Sequence, residues 1–239
     1  MTVWQAVSAW QAMPSWVVFL LSGVCHQIPE HSFWIDGQVL PLCARCTGQF
    51  GGALLAIVAL VVAGRHRRSL FAPWWAQGVM AALAAWWALD GVNSFLYGLL
   101  GRPWLYEPMN GLRLITGLGL GLVAGVELLP AVALSIVRQP ERRPIIEQPS
   151  EILVLLGGLM LAGAIGLSGR LPYLLAAAWP ALGVAALLGG ANGLLLVLVT
   201  GATPESLSRG RLGAFALGGL GLGLLEAGAL ATLRRLIGV

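Results

Sequence analysis

The sequence has few charged residues and no lysine. Only 10% of its 239 residues are charged, 58% are hydrophobic, and the mean hydropathy is +0.83. A soluble domain carries roughly 25% charged residues, and less than half of that fraction cannot cover a water-facing surface. The composition therefore excludes an ordinary soluble domain and predicts an integral membrane protein.

Two other signals are absent. No basic residue precedes the first apolar stretch, so the N-terminus does not resemble a cleaved signal peptide. The 14 basic residues, all of them arginine, lie mostly in short loops between apolar runs. Membrane topology thus explains the net charge of +4, and no pattern indicates nucleic acid as a partner. The expected partner is the lipid bilayer.

Seven apolar stretches approach the length of about 20 residues that a helix needs to cross the hydrocarbon core. We expect an all-α fold, a polytopic transmembrane helical bundle of about seven spans. The predicted spans are 3–24, 48–63, 73–97, 110–137, 151–167, 172–200 and 212–237. The first is the weakest, because polar residues and Pro14 interrupt it.

Loops rich in arginine mark the cytoplasmic side of a membrane protein. Such loops follow the second, fourth and sixth predicted spans. Because they alternate correctly, we expect the N-terminus inside and the loops 25–47 and 98–109 on the extracytoplasmic side. Arg234 and Arg235 depart from this pattern, so either they extend to the outer face or one predicted span is wrong.

A polar, proline-rich segment at 138–151 is predicted to be a cytoplasmic connector. It separates a motif-bearing membrane half, 1–137, from a half rich in glycine, alanine and leucine, 152–239. Small residues at helical spacing let helix backbones approach closely. We therefore expect the second half to form tightly packed helices.

Three cysteines and one histidine form the most informative motif, Cys25-His26 followed by Cys43-x-x-Cys46. Zinc favours tetrahedral sites of cysteine and histidine, including three cysteines with one histidine. We predict a metal site, with zinc as the first candidate, formed by these four residues. Four ligands would make a closed structural site, and three would leave an open position. His31 is a further candidate ligand that is more simply explained as a loop histidine.

Two alternatives to metal binding stay open. Cys43 and Cys46 precede or begin the second span, where a helix N-terminus and Arg45 would lower a thiol pKa. A C-x-x-C at this place is similar to that of quinone-coupled disulfide-forming membrane enzymes, although those use a second cysteine pair. The other alternative is a structural disulfide of Cys25 with Cys43 or Cys46. A c-type haem is not expected, because Thr47 follows the second cysteine of the motif.

Polar residues within the predicted spans form a second candidate site. Asp90 and Asn93 share one helix face, and Asn110, Arg113 and Thr116 share another. An ionisable residue inside a membrane is costly and indicates function by default. The simpler interpretation is an Asp90–Arg113 ion pair. The other is a polar pocket beneath residues 25–47, here called the cysteine loop. Such a pocket would bind a polar headgroup, a metal or a proton.

These motifs resemble one known family, the prokaryotic membrane proteins catalogued as domain of unknown function 2085. The resemblance covers about residues 16–125 and rests on four segments: Cys25-His26-Gln27-x-Pro29-x-x-Ser32-Phe33, Cys43-Ala44-Arg45-Cys46-Thr47-Gly48, Asp90-Gly91 and Asn110-x-x-Arg113-x-x-Thr116-Gly117. It implies a multi-pass protein of a prokaryotic cell membrane and no established activity. The family usually has arginine at the position of His31.

The leading hypothesis from the sequence is therefore a membrane protein with an outward-facing Cys/His metal site beside an Asp/Arg polar pocket. The first alternative is a quinone-coupled thiol–disulfide oxidoreductase that uses Cys43 and Cys46. The second is a non-catalytic subunit of a larger membrane complex or homo-oligomer, with the glycine-rich half as its docking surface.

Overall fold

The computed structural model describes residues 13–238. Within these residues the chain forms seven helices: α1 Ser15–Ser22, α2 Ala44–Val62, α3 Trp74–Leu100, α4 Asn110–Ile136, α5 Pro149–Leu167, α6 Tyr173–Val199 and α7 Arg209–Ile237. The six helices α2 to α7 are long and apolar enough to cross a membrane. The predicted all-α, polytopic helical bundle is confirmed.

The first predicted span, 3–24, differs from the others. Its residues 1–12 lie outside the described residues. The described part is α1, which has eight residues and begins directly after Pro14. Eight residues of helix rise only about 12 Å, so α1 alone does not cross a bilayer. The side of the membrane on which the N-terminus lies stays a prediction.

Short strands and turns connect the helices. Asp36 and Gly37 form a two-residue turn with positive φ angles of 51° and 74°, as a tight hairpin requires. This turn joins β1 to β2 in an antiparallel pair, and β3 pairs with β4 in parallel. The strands are β1 Trp34–Ile35, β2 Gln38–Val39, β3 Arg68–Leu70 and β4 Glu141–Pro144, and the 3-10 turns are Pro29–His31, Arg65–Arg67 and Pro204–Ser206.

Glycines bring the backbones of α2 and α4 into direct contact. A Cβ atom at Gly117 would lie 2.2 Å from the carbonyl oxygen of Arg45, and one at Gly121 would lie 2.1 Å from that of Gln49. On α2, a Cβ atom at Gly48 would lie 2.2 Å from a backbone oxygen of α4. Because these glycines recur at small-xxx-small spacing, they form a continuous contact face. This face fixes the first turn of α2 beside α4.

The same packing occurs in the second half of the chain. A Cβ atom at Gly219 of α7 would lie 2.4 Å from the carbonyl oxygen of Gly189 on α6. A Cβ atom at Gly183 of α6 would lie 2.0 Å from the carbonyl oxygen of Phe50 on α2. Close glycine packing was predicted for the second half and is confirmed there. It is equally close between α2 and α4, where it was not expected from the sequence.

The segment 138–151 is docked at one end of the bundle. It contains β4, and Ile145 and Ile146 are fully buried. Arg65 donates to the Glu151 carboxylate at 2.6 and 2.5 Å, and Arg138 donates to the carbonyl oxygen of Leu207 at 3.2 Å. These contacts gather the three arginine-rich loops at the same end. The cysteine loop and the α3–α4 loop lie at the opposite end.

Candidate metal centre and the adjoining ion pair

The three cysteine side chains lie together at the start of α2. Their Sγ atoms are all within 4.8 Å of one another. Cys25 is 2% exposed and packs in an apolar cluster that includes Leu42 and Phe50. Cys43 is the residue directly before α2, and Cys46 is in its first turn. All three are free thiols, with Cys25 buried and Cys43 and Cys46 half-buried, so the group presents three soft ligands close together.

A sharp turn after α1 places Cys25 against Cys43. Gln27 has a positive φ of 52°, which is uncommon for a residue with a side chain. Its side-chain Nε2 donates to the carbonyl oxygens of Val18 and Pro41, at 2.9 Å each. These two bonds tie the end of α1 to the segment that precedes α2. The strained backbone is therefore held by the same side chain that closes the cysteine loop.

Backbone N–H groups donate to the sulfur of Cys25. The donors are Cys43 N at 3.2 Å and Gln27 N at 3.4 Å. A hydrogen bond to a charged group favours its charged form. A thiolate is the form that ligates a metal, so these two N–H groups would stabilise Cys25 once a bound metal had displaced its proton.

The three thiols titrate as a group. A hydrogen bond with Cys25 and a weaker effect of one with Cys46 hold the pKa of Cys43 well below its ordinary value. The hydrogen bond with Cys43 raises the pKa of Cys25. Cys43 is therefore the first of these two residues to lose its proton, and its position before α2 agrees with this order, because a helix N-terminus favours negative charge.

The predicted histidine ligand lies apart from the sulfur atoms. The structure brings together Cys25, Cys43 and Cys46, whereas His26 is exposed and is not among the side chains that meet there. In the turn after α1, Cys25 faces the interior while its neighbour His26 faces outward. His31 is half-buried in the loop, and its pKa is lowered by burial and then by the charge of Arg113.

Asp90 is fully buried and forms its ion pair with Arg45. Arg45 donates to the carboxylate through Nη2 and, at 3.1 Å, through Nε. Tyr106 Oη donates to the other carboxylate oxygen at 2.9 Å, and Thr116 Oγ1 lies 3.4 Å from the first. Arg45 Nη2 also donates to Ser94 Oγ at 3.0 Å. The prediction from the sequence that Asp90 pairs with Arg113 is therefore wrong.

The physical reason lies in how α2 and α4 pack. Their glycine contact sets the first turn of α2 beside α4, and Arg45 then extends past the helix contact to Asp90 on α3. The Arg113 guanidinium instead donates to Asn110 Oδ1 at 2.7 Å. Spacing along one helix identifies its polar face but not the rotation of that face toward neighbouring helices.

The other predicted polar residues hold loops above the ion pair. Asn93 is fully buried, accepts a hydrogen bond from Leu105 N and donates one to the carbonyl oxygen of Tyr106, at 2.9 Å each. These two bonds hold Tyr106 in place. Burial and the contact with Asp90 raise the pKa of Tyr106 to about 12. Asn110 Nδ2 donates to the carbonyl oxygen of Glu30 at 3.1 Å, so it ties the cysteine loop to α4.

Arg234, at the far end of the chain, also contacts the cysteine loop. Its Nη1 donates to the carbonyl oxygens of Ser22 at 2.6 Å and Cys25 at 2.5 Å. These are carbonyls at and beyond the C-terminus of α1, where a cation is favoured. In the sequence, Arg234 stands out only as a departure from the charge pattern. No local signal links residues so far apart, so this contact could not have been predicted from spacing.

Comparison with known proteins gives one family and two similar archaeal proteins. Residues 25–126 match the family described as predicted membrane protein (DUF2085). An uncharacterized protein of Methanocaldococcus jannaschii is 30% identical over 121 residues, which cover 51% of this chain and 71% of that protein. One of Methanothermobacter thermautotrophicus is 30% identical over 116 residues, which cover 47% of this chain and 93% of that protein. No solved structure matches the chain.

Proposed function

Because this chain belongs to the family of predicted membrane proteins DUF2085, and the matched residues contain all three cysteines, we propose that it is an integral membrane protein that binds a metal ion through Cys25, Cys43 and Cys46. Zinc is the first candidate, since it favours thiolate ligands and tetrahedral geometry. A monovalent copper ion is the other metal that such soft ligands select.

The observation that carries this proposal is the convergence of three sulfur atoms. A zinc–sulfur bond is about 2.3 Å long, which in a tetrahedron separates two sulfurs by about 3.8 Å. The free sulfurs lie within 4.8 Å of one another, so binding needs them to close by no more than about 1 Å. Rotation of the thiol side chains around the present pocket supplies a movement of this size.

Only three protein ligands are proposed, and the fourth position is open. The exposed His26 imidazole lies outside the sulfur group. Catalytic zinc sites keep three protein ligands and a position for water or substrate, while structural sites are closed. An open fourth coordination position at the end of a helical bundle would let the metal bind water or a substrate from the solvent.

The location of the site is part of the proposal. Loops that carry eight of the 14 arginines lie at the end of the bundle opposite the cysteines. Positive loops stay in the cytoplasm, so the metal site would face the extracytoplasmic side. Arg234, whose bonds to the Cys25 loop bring it to the same end, is the departure from this charge pattern.

Elemental analysis of the full-length protein, purified in detergent without chelators, tests metal binding. We expect close to one metal ion per chain in the wild type and loss of most of it in Cys25→Ser and Cys46→Ser. Asp36→Asn is the matched control, since Asp36 is an exposed residue of the same loop and asparagine tolerates its positive φ. Metal-free wild type, or equal metal content in all variants, would refute the proposal.

A second candidate is a thiol–disulfide exchange coupled to a quinone. It is favoured by the lowered pKa of Cys43 directly before α2 and by a nearby apolar cavity. That cavity has a volume of about 410 Å³ and is lined by Thr47, Leu114, Trp179 and other, mostly apolar side chains. In this reaction Cys43 and Cys46 would form a disulfide, losing two electrons and two protons, and a quinone would take up both to become a quinol.

Thiol trapping separates the two candidates. The purified protein is incubated with a soluble quinone, and free thiols are then alkylated and counted by mass spectrometry. The exchange reaction predicts loss of the Cys43 and Cys46 thiols and appearance of quinol in equal amounts. If both thiols stay reactive after metal is removed and quinone is added, the redox candidate is excluded.

A further inference from the structure

Among the described residues, no carboxylate pairs with the buried guanidinium of Arg113. The residue is only 6% exposed. Within residues 13–238 its side chain makes one hydrogen bond, to Asn110 Oδ1, a neutral acceptor, at 2.7 Å. A guanidinium has five N–H donors, so most of the donors of Arg113 are not used by these residues. A charged group with unused donors at a largely buried position is stabilised by an anion that binds to it.

Asp90 does not form an ion pair with Arg113. Asp90 pairs with Arg45, and its two oxygens also accept from Tyr106 and Thr116. The bonding capacity of this carboxylate is therefore taken up by Arg45, Tyr106 and Thr116. Among residues 13–238 no carboxylate forms an ion pair with Arg113.

The N-terminus of α4 adds further donors at the same place. α4 has 27 residues, and within the described chain no side chain caps its N-terminus. The first N–H groups of a helix have no acceptor within that helix and point along its axis, where the macrodipole favours an anion. The Arg113 side chain turns back toward Asn110, the first residue of α4, so its charge and the free N–H groups share one end of the helix.

The N-terminus of α4 is partly exposed, since Met109 is exposed and Asn110 and Gly111 are half-buried. Asn110 holds the cysteine loop through backbone oxygens of Glu30 and Ser32, at 3.1 and 3.3 Å. A Cβ atom at Gly111, the second residue of α4, would meet only one side-chain carbon, at 3.8 Å. His31 in this loop is half-buried, and burial and then the charge of Arg113 lower its pKa.

We propose that Arg113 and the N-terminal N–H groups of α4 bind a phosphate-type oxyanion at the end of the bundle that carries the cysteines. Arginine and a helix N-terminus are the two protein features that bind phosphate best. The site lies where a membrane-crossing helix begins, which is the depth of lipid headgroups. A lipid phosphate and a free phosphate present the same chemistry to it, and the experiment distinguishes them.

The test uses the full-length protein, stripped of lipid in a neutral detergent. In one arm inorganic phosphate is added, and sodium chloride at matched ionic strength is added to a parallel sample. In the other arm the protein is placed in phosphatidylcholine bilayers with or without phosphatidylglycerol. Thermal unfolding is followed in both, because a ligand that binds the folded state raises the unfolding temperature.

We expect the wild type to be stabilised by phosphate more than by sodium chloride, by phosphatidylglycerol more than by phosphatidylcholine alone, or by both probes. Arg113→Gln should weaken the apparent affinity by about tenfold or more, since hydrogen bonds to charged groups are the strong ones. Arg113→Lys keeps the positive charge but lacks the paired N–H donors of a guanidinium. Its apparent affinity should lie between those of the wild type and Arg113→Gln. Arg102→Gln, in an exposed position of the α3–α4 loop, is the matched control and should behave as the wild type.

A response to phosphate alone identifies a free anion as the ligand, and a response to phosphatidylglycerol alone identifies a lipid. Cys43→Ser should keep the response, which separates this site from the metal proposal. If the wild type responds to neither probe, or Arg113→Gln responds as strongly as the wild type, the anion site is refuted. Loss of the response in Cys43→Ser would mean that Arg113 serves only the sulfur group, and would also refute it.

Discussion

Arg45, between two cysteines of the motif, forms a buried ion pair with Asp90 of α3. The carboxylate is fully buried, and the arginine side chain is 20% exposed. The pair links the first turn of the cysteine-bearing helix to a helix that contributes no sulfur. The pair therefore anchors the residue between Cys43 and Cys46 to α3.

Breaking this ion pair should destabilise the protein more when one charge is left unpaired than when both charges are removed. Arg45→Met leaves a fully buried carboxylate without its cation, and we expect a loss of roughly 3–5 kcal/mol of stability, the usual cost for a buried pair. Arg45→Met combined with Asp90→Leu removes both charges and should recover much of this loss. Unfolding in detergent, compared with that of Arg102→Gln, measures it. A double variant that is no more stable than Arg45→Met contradicts the role of the pair.

The glycine contact between α2 and α4 should not tolerate a side chain. Gly117→Ala would place Cβ 2.2 Å from the carbonyl oxygen of Arg45, which forces the helices apart. Overpacking of this kind costs about 1–3 kcal/mol, and the displacement of Arg45 should also weaken metal retention. Gly78→Ala on α3 is the control, because nothing lies within 4 Å of its Cβ position. Similar unfolding temperatures for both variants would show that α2 and α4 are not in contact.

Arg234 should stabilise the cysteine loop from the second half of the chain. Arg234→Ala removes both hydrogen bonds to the carbonyl oxygens of Ser22 and Cys25. We expect faster loss of metal to a chelator, by about tenfold, since charged hydrogen bonds contribute about 1.5–3 kcal/mol. Arg209→Ala, at the other end of α7 and exposed, should release metal at the wild-type rate. Equal rates for the two variants would argue against a role of Arg234 at the site.

Membrane-impermeant maleimide should label the cysteine end of the protein in intact cells. In a background without native cysteines, Glu30→Cys, at an exposed position of the cysteine loop, should react without permeabilisation. Arg142→Cys, exposed at the opposite end, should react only after permeabilisation. The reverse result would place the metal site in the cytoplasm and overturn the orientation derived from the arginine-rich loops.

Much of the architecture follows from the sequence alone. The six membrane-crossing helices were predicted from apolar length, which is a strong signal because lipid excludes unpaired backbone groups. The grouping of Cys25, Cys43 and Cys46 follows from the C-x-x-C spacing and from a loop long enough to fold back. Alternation of arginine-rich loops also predicted which loops share an end of the bundle.

The partner of Asp90 could not be predicted in the same way. Helical spacing gives the polar face of α4, on which Arg113 lies, but the glycine contact decides that Arg45 reaches Asp90 first. The sequence likewise contains no signal for Arg234, because its contact with Cys25 joins distant parts of the chain. Both depend on how helices rotate and dock, which is a property of the assembled bundle.

X-ray absorption at the metal edge, measured on the purified full-length protein, tests the metal site most directly. We predict three sulfur atoms about 2.3 Å from the metal and one lighter atom that changes when an external ligand is added. In the fraction of metal that Cys25→Ser retains, the sulfur count should fall to two. A spectrum with only nitrogen and oxygen neighbours, or a sulfur count that Cys25→Ser leaves unchanged, would contradict a metal site built from the three cysteines.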